Sequence, residues 1–416
     1  MSSSVAPEQP APQELYDHEL RAAITVRLAE GAPFVELVNT LEGADPPSVV
    51  AALRHMAEGP HGAAASAVLA DAATRSAPER PSLLPIAHPL DYAWHFTHRT
   101  LDDLVRRIVD LTEPGQRVAY LGTPTLYARA VAALPDRTHV LIDFDGRQIA
   151  GAPQVPHAQA IQLDLLDPPL PALDVDACVA DPPWYPEHAA CFINAAAIML
   201  RPGGRLLLSF ASRLTRPGLE LDRAKLVASA SEDGVVLADA VSGACRYRTP
   251  PYEYAAFAAT GLRNVPEEWR TGDLLIFTRG GTTPARRVLT HARWRAVEVD
   301  EIPLRVLAAA PACGTALLSS LIDGDVLPSV SRRTATRGAV ALWTSRNRVF
   351  ASSDPARLSD IIVALADGGS SAPLELRADD DARRALDHVR RVVVRERMEH
   401  QLGNVAAADP CDTLRG

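Results

Sequence analysis

The residues with the plainest chemical use are Asp181-Pro182-Pro183-Trp184-Tyr185, which follow the apolar run Val175-Asp176-Ala177-Cys178-Val179-Ala180. Proline cannot donate to a strand ladder and restricts the residue before it, so the extended run ends at Ala180 and Asp181. The turn then offers one carboxylate, rigid backbone carbonyls and a flat aromatic surface at a strand's carboxyl edge, where open α/β sheets bind ligands. Asp-Pro-Pro also occurs at Asp45-Pro46-Pro47 and Asp167-Pro168-Pro169, as expected of a chain with 34 prolines. Only the third copy follows a buried-strand pattern and precedes aromatics.

The elements that must position this turn form an alternating strand and helix pattern from Gly115, which predicts a parallel sheet with crossover helices. Val118 to Gly122 reads as the first strand, Val140 to Asp145 as the second, Ala160 to Asp164 as the third and Asp176 to Ala180 as the fourth. Arg205 to Phe210 is the fifth, Val235 to Val241 the sixth and Asp273 to Thr278 the seventh. Helices are predicted at Thr125 to Leu134, at about Glu187 to Leu200 and at Leu221 to Glu232. Gly122 ends the first strand and Asp143 follows 21 residues later. At that spacing a glycine lets backbone approach a cofactor while an acid takes ribose hydroxyls. With Asp164 and Asp181, four such positions stand along one rim. Each acid alone also reads as an ordinary helix cap.

The order Gly122, Asp143-Phe144-Asp145, Asp164, Asp181-Pro182-Pro183-Trp184, Pro202-Gly203-Gly204 resembles the class I S-adenosylmethionine-dependent methyltransferases over about residues 88 to 280. Asp-Pro-Pro-aromatic is similar to the catalytic motif of the amino-directed members, which act on adenine N6, cytosine N4 or a protein amide. The chain is also similar to the branched-chain polyamine synthases, which transfer an aminopropyl group from decarboxylated S-adenosylmethionine. The resemblance implies an N-methyltransferase in which Asp181 and the Pro182 carbonyl accept N–H bonds and Trp184 or Tyr185 stacks on the acceptor. Gly122 and Thr123 would form the cofactor loop, Asp143 would hold the ribose and Asp164 the adenine amino group. His188 is either a base for the methylated amine or an ordinary helix N-terminal histidine. The chain departs from both families at Gly122-Thr123-Pro124-Thr125. Gly-x-Gly-x-Gly is reduced to one glycine, Pro124 removes a donor, and the acidic run of the polyamine synthases is absent. That altered loop keeps open a third reading, a catalytically inactive scaffold or sensor on this fold.

The flanking regions bound the rest. The sequence predicts an α/β protein with a Rossmann-like seven-stranded methyltransferase domain at 78–282. A tail is expected at 1–12, a small helical domain at 13–77 and an α+β domain at 283–416, in which Ala339 to Trp343 and Val349 to Ala351 read as a hairpin and Asp379 to Leu402 as a charged helix. Three short helices before Gly59, the last capped by Asp45 with Val49, Val50, Leu53 and Met56 inward, allow a winged-helix unit or a helical cap. Either flanking domain is a candidate for homodimer contacts.

The net charge is −9 over 416 residues and Lys225 is the only lysine, which argues against a non-specific phosphate-backbone binder. A small-molecule or protein acceptor is therefore expected before duplex DNA. Arg213, Arg216, Arg246, Arg248 and the tyrosines from Tyr247 to Tyr254 either grip an anionic group or pack. Five cysteines without a CxxC pair predict neither a disulfide framework nor a metal site. The first fifteen residues lack a signal-peptide pattern and no run suits a membrane span, so a cytoplasmic protein is expected.

Overall fold

The computed structural model describes residues 11–74, 85–92, 94–167, 169–282, 284–290, 294–332, 334–367 and 379–402. Residues 1–10 of the tail expected at 1–12, most of the proline-rich connection (75–84) and Cys411 lie outside the described residues, whereas Pro12 already begins a helix. The chain divides into two compact units. The first gathers the described residues of Met1–Ala72, His95–Arg248 and Pro266–Thr290; the second gathers those of Ala73–Trp94, Thr249–Val265 and His291–Gly416.

The first unit opens with α1 (Pro12–Ala29), α2 (Phe34–Asn39), α3 (Pro46–Ala57) and α4 (Gly62–Ala73). Tyr16, Leu20, Ile24 and Leu28 fall every fourth residue along α1 and are buried, which is one stripe of a helix. In α3 the prolines occupy the first turn, where no amide is needed, and Val49, Leu53 and Met56 are buried while Val50 is half-buried. Asp45 stands at the N-cap position of α3 but its side chain makes no cap bond to the helix amides. Its carboxylate instead accepts the Ser48 hydroxyl at 3.4 Å, and burial raises its pKa to about 6.

The sheet of this unit holds β1 (His95–Phe96), β2 (Arg117–Leu121), β3 (Thr138–Asp143), β4 (Ala158–Gln162), β5 (Val175–Ala180), β6 (Leu200–Ala211), β7 (Val235–Arg248) and β8 (Thr271–Arg279). Their order is β1-β7-β8-β6-β5-β2-β3-β4. From β4 to β6 all pairs are parallel, whereas β8 runs antiparallel to β6 and β7. The crossover helices are α5 (His98–Leu111, preceding β2), α6 (Pro124–Ala133), α7 (Gly146–Ala150), α8 (Pro186–Met199) and α9 (Leu219–Glu232). Strands β2 and β5 are buried almost throughout, as continuous apolar runs are when helices cover both sheet faces. This is the Rossmann-like α/β sheet expected for a class I methyltransferase fold. It has eight strands where seven were expected, because two-residue β1 pairs along the edge strand β7. The third strand ends at Gln162, so Asp164 lies two residues beyond it; the sixth runs on from Val241 to Arg248.

The loop between α2 and α3 seats on this sheet through Gly43. A Cβ there would lie 2.5 Å from the Thr271 carbonyl oxygen, and its φ of +79° is left-handed. Gly43→Ala is expected to cost about 2–4 kcal/mol in denaturant unfolding. Gly31→Ala, at a similar φ with nothing within 4 Å, is expected to cost about 1 kcal/mol.

The second unit carries α10 (Pro251–Ala259), β9 (Arg295–Val299), β10 (Ile302–Val306), β11 (Ser319–Ser320), β12 (Leu342–Thr344), β13 (Val349–Ala351), α11 (Pro355–Ala366) and α12 (Asp380–Leu402). Its antiparallel sheet, ordered β11-β13-β12-β10-β9, shares a core with Leu358, Ile361 and Ile362 of α11 and Ala385, Val389 and Val393 of α12. The turn between β12 and β13 is buried and closed by charge: Arg348 binds both Glu396 and Glu399 of α12, and Ser345 donates to Glu396 at 2.6 Å. No helix among the described residues is long and apolar enough to cross a membrane.

Candidate functional site

The strand order reverses between β2 and β5, the point on the rim of such a sheet where connections leave in opposite directions and ligands bind. Gly122 follows β2 with φ +66°. Its amide donates to the Ile142 carbonyl at 2.9 Å, so it lies beside the end of β3, and the Asp181 amide donates to the Leu121 carbonyl at 3.2 Å. Gly122, Asp143 and Asp181 therefore stand on three adjacent strand ends. A Cβ on Gly122 would come within 3.4 Å of the Phe192 ring and 3.6 Å of the Asp181 carbonyl. A bare backbone at this point keeps the rim open.

Asp143 is 7% exposed, and its Oδ1 accepts the Asp145 amide at 2.9 Å. Asp164 is half-buried and accepts the Leu166 amide at 2.9 Å, a local Asx turn beyond β4. Thr123 caps the N-terminus of α6 by position. It is 2% exposed, and its hydroxyl has no hydrogen-bond partner among the described residues. Pro124 is the first residue of α6, where its missing amide costs the helix nothing. The single-glycine loop is thus a direct passage from strand to helix.

The Asp181-Pro182-Pro183-Trp184-Tyr185 turn closes tightly. The Tyr185 amide donates to the Pro183 carbonyl at 2.7 Å, and α8 begins at Pro186. Trp184 is 5% exposed. The Arg270 guanidinium lies 4.1 Å from its ring centroid, Tyr247 meets it edge-on at 5.4 Å, and Gly272 leaves room for its far edge. The Trp184 carbonyl accepts Arg216 at 3.0 Å, and Arg216 is paired with Asp222 at 2.5 Å. Trp184 is therefore a wedge that sets the turn rather than an open stacking plate. Tyr185 is half-buried, with its ring 5.7 Å from that of His188. His188 is only 1% exposed, inside α8.

Asp181 is the electrostatic centre of the turn. Burial raises its pKa to about 7, against the pull of the Tyr247 and Ser209 hydroxyls and the nearby Arg270 charge. Tyr247 donates to Asp181 Oδ1 at 2.7 Å. Burial first, then the Asp181 charge, push the Tyr247 phenol well up, so it stays a donor. Tyr247, Ser209, Arg270 and Gly272 are the participants that sequence reasoning missed as a group. A glycine directly before the predicted strand from Asp273 was the available signal for Gly272.

The arginines after β6 are mostly committed. Arg213 pairs with Glu19 and Glu42, and Arg246 donates to the Asn39 carbonyl at 3.1 Å. Tyr252 and Tyr254 belong to the second unit. Among the described residues no group of three or more His, Cys, Asp or Glu is placed to hold a metal ion.

No protein-family profile and no curated protein matches the sequence. Among solved structures, the chain is similar to the branched-chain polyamine synthase from Thermus thermophilus in complex with N4-aminopropylspermidine and 5'-methylthioadenosine. The identity is 18%, covering 66% of this chain and 91% of that one, with a TM-score of 0.47. A mutein of the same enzyme aligns at 17% identity over 66% and 90%, with a TM-score of 0.49. Magnesium protoporphyrin IX methyltransferase from Synechocystis PCC 6803 with bound SAM aligns at 17% identity over 44% and 78%, with a TM-score of 0.31. The strand order and directions of the chain itself define its fold.

Proposed function

We propose that the chain is an S-adenosylmethionine-dependent N-methyltransferase acting on an amino or amide nitrogen. The observation that carries this reading is the enclosed Asp181 carboxyl at the end of β5, held by Tyr247 and adjoining the strand ends that bear Gly122 and Asp143. The residues fit the cofactor: Gly122 keeps a backbone cradle open, and Thr123 offers a buried hydroxyl, without a partner among the described residues, at a helix N-terminus. In this reading Gly122 and Thr123 hold the methionine end, Asp143 the ribose and Asp164 the adenine amino group. When bound, the cofactor supplies an electrophilic methyl group on a cationic sulfur.

The chain's own groups then act on the acceptor. Asp181 accepts an N–H bond and draws the nitrogen lone pair out of its delocalisation, with the Pro182 carbonyl as a second acceptor. A carboxyl poised near neutrality can also take the proton that the alkylated nitrogen releases. Trp184 fixes the turn, and Tyr185 is the aromatic left to face the acceptor plane.

The loop after β2 narrows the acceptor. Thr123, Pro124 and Thr125 offer no acid to a polyamine, which disfavours aminopropyl transfer from the decarboxylated cofactor. Duplex DNA would need free basic flanks, and Arg213 and Arg246 are bound within the protein. A small molecule or a protein amide suits the site better. The test is incubation with methyl-labelled S-adenosylmethionine and a fractionated pool of nitrogen-bearing acceptors. Label on nitrogen is expected. Label on oxygen or carbon, or transfer only from the decarboxylated cofactor, contradicts the reading.

A further inference from the structure

Three strands converge on one carboxylate. Asp181 ends β5, Ser209 lies on β6 and Tyr247 on β7. Strand β7 reaches that point through register shifts between Leu237 and Asp239 and between Val241 and Cys245. Bulges of this kind re-aim side chains next to sites, and here the strand delivers a phenol to the rim. The ring is 1% exposed and clamped by Phe96 at 4.8 Å on one side and Trp184 at 5.4 Å on another. Its hydroxyl donates to Asp181 Oδ1 at 2.7 Å, and the buried Ser209 hydroxyl lies 2.5 Å from the phenol oxygen and also acts on the Asp181 carboxyl.

We infer that Tyr247 is a positioning residue for Asp181: it commits Oδ1 and leaves Oδ2 as the oxygen that meets the acceptor N–H, with the Ser209 hydroxyl in contact with the pair. The consequence for an N-directed reaction rests on the function proposed above; the hydrogen-bonded relay itself does not. A freely rotating carboxylate would share its two oxygens between acceptor and protein. One held by a buried phenol presents a single acceptor in one direction, which suits a nitrogen that must enter along one line.

The relay also sets the acidity of the site. The groups facing the carboxyl are Tyr247 and Cys245 on β7, Ser209 on β6 and Arg270 leading into β8. The Tyr247 bond favours the ionised carboxylate, so removing it must raise the Asp181 pKa. The experiment follows the Asp181 acid carbonyl stretch by infrared difference titration of the full chain without cofactor or acceptor, with Asp181→Asn assigning the band. The wild-type midpoint is expected near 7. In Tyr247→Phe it should rise by about 0.5–1 pH unit, the worth of one hydrogen bond. Ser209→Ala should move it less, in the same direction, and serves as the test if Tyr247→Phe does not fold. An unmoved midpoint overturns the role whatever the reaction is. A raised midpoint in a chain that methylates no nitrogen upholds the relay and removes the reading of the reaction. Where turnover is present, the acid limb of its pH profile should rise by the same amount in Tyr247→Phe.

Discussion

Asp181→Asn is expected to lower methyl transfer by about 100- to 10,000-fold while cofactor affinity stays within about threefold. An amide cannot take a proton and offers its carbonyl oxygen as a weaker acceptor. The cofactor positions Gly122, Thr123, Asp143 and Asp164 lie on other strand ends and stay in place. The same substitution should stabilise the fold at alkaline pH, and the sign follows from linkage. Burial raises the Asp181 pKa from 3.8 to about 7. The unfolded carboxyl therefore loses its proton first, and stability falls as pH rises from about 4 to about 7. Asparagine removes that slope. Thermal unfolding at pH 8 should show the variant more stable than wild type by on the order of 1–3 kcal/mol, with the difference vanishing near pH 4. Asp45, raised to about 6, keeps its own smaller slope in both proteins.

Gly272→Ala should damage the site from a position that touches no substrate. Its Cβ would lie 2.6 Å from Trp184 Cζ2 and 2.9 Å from the Phe210 carbonyl oxygen, so neither a ring shift nor a backbone shift relieves both contacts. Trp184 is three residues from Asp181 and is held by Arg270, Tyr247 and Arg216, so its displacement carries the turn with it. A loss of about 100-fold in turnover and about 2–4 kcal/mol in stability is expected from an overpacked, misplaced site. Gly281→Ala, with nothing within 4 Å, is the control and should change stability by less than about 0.5 kcal/mol. Denaturant unfolding and labelled-methyl transfer on the same preparations check both statements.

These sites were legible in the sequence to different depths. The parallel core was plain because buried strands such as Val175–Ala180 are continuous apolar runs that end at punctuating residues. The spacing of Gly122 and Asp143 followed from the same regularity. Tyr247 was hidden because polar Asp239 and Ser242, Gly243 and two bulges break the alternation of β7, which made the strand read as ending at Val241. Its phenol then fell into a cluster of arginines and tyrosines beyond any predicted element. Pro124 looked like a lost donor in a loop, whereas at the first position of α6 it loses nothing. Trp184 looked like an exposed plate because the sequence shows neither the space at Gly272 nor the guanidinium of Arg270. Burial and cross-strand neighbours are properties of the assembled sheet, and no local pattern encodes them.

Calorimetric titration of the full chain with S-adenosylmethionine, its decarboxylated form and S-adenosylhomocysteine tests the central claim most directly. Loop Gly122-Thr123-Pro124 opens a helix N-terminus, carries a buried donor and has no acid, so it favours a ligand with a carboxylate. The account predicts that S-adenosylmethionine and S-adenosylhomocysteine bind at least about tenfold more tightly than the decarboxylated form, one charge-assisted contact being worth 1.5–3 kcal/mol at about 1.4 kcal/mol per tenfold. Preference for the decarboxylated form, or binding of none of the three, would contradict it.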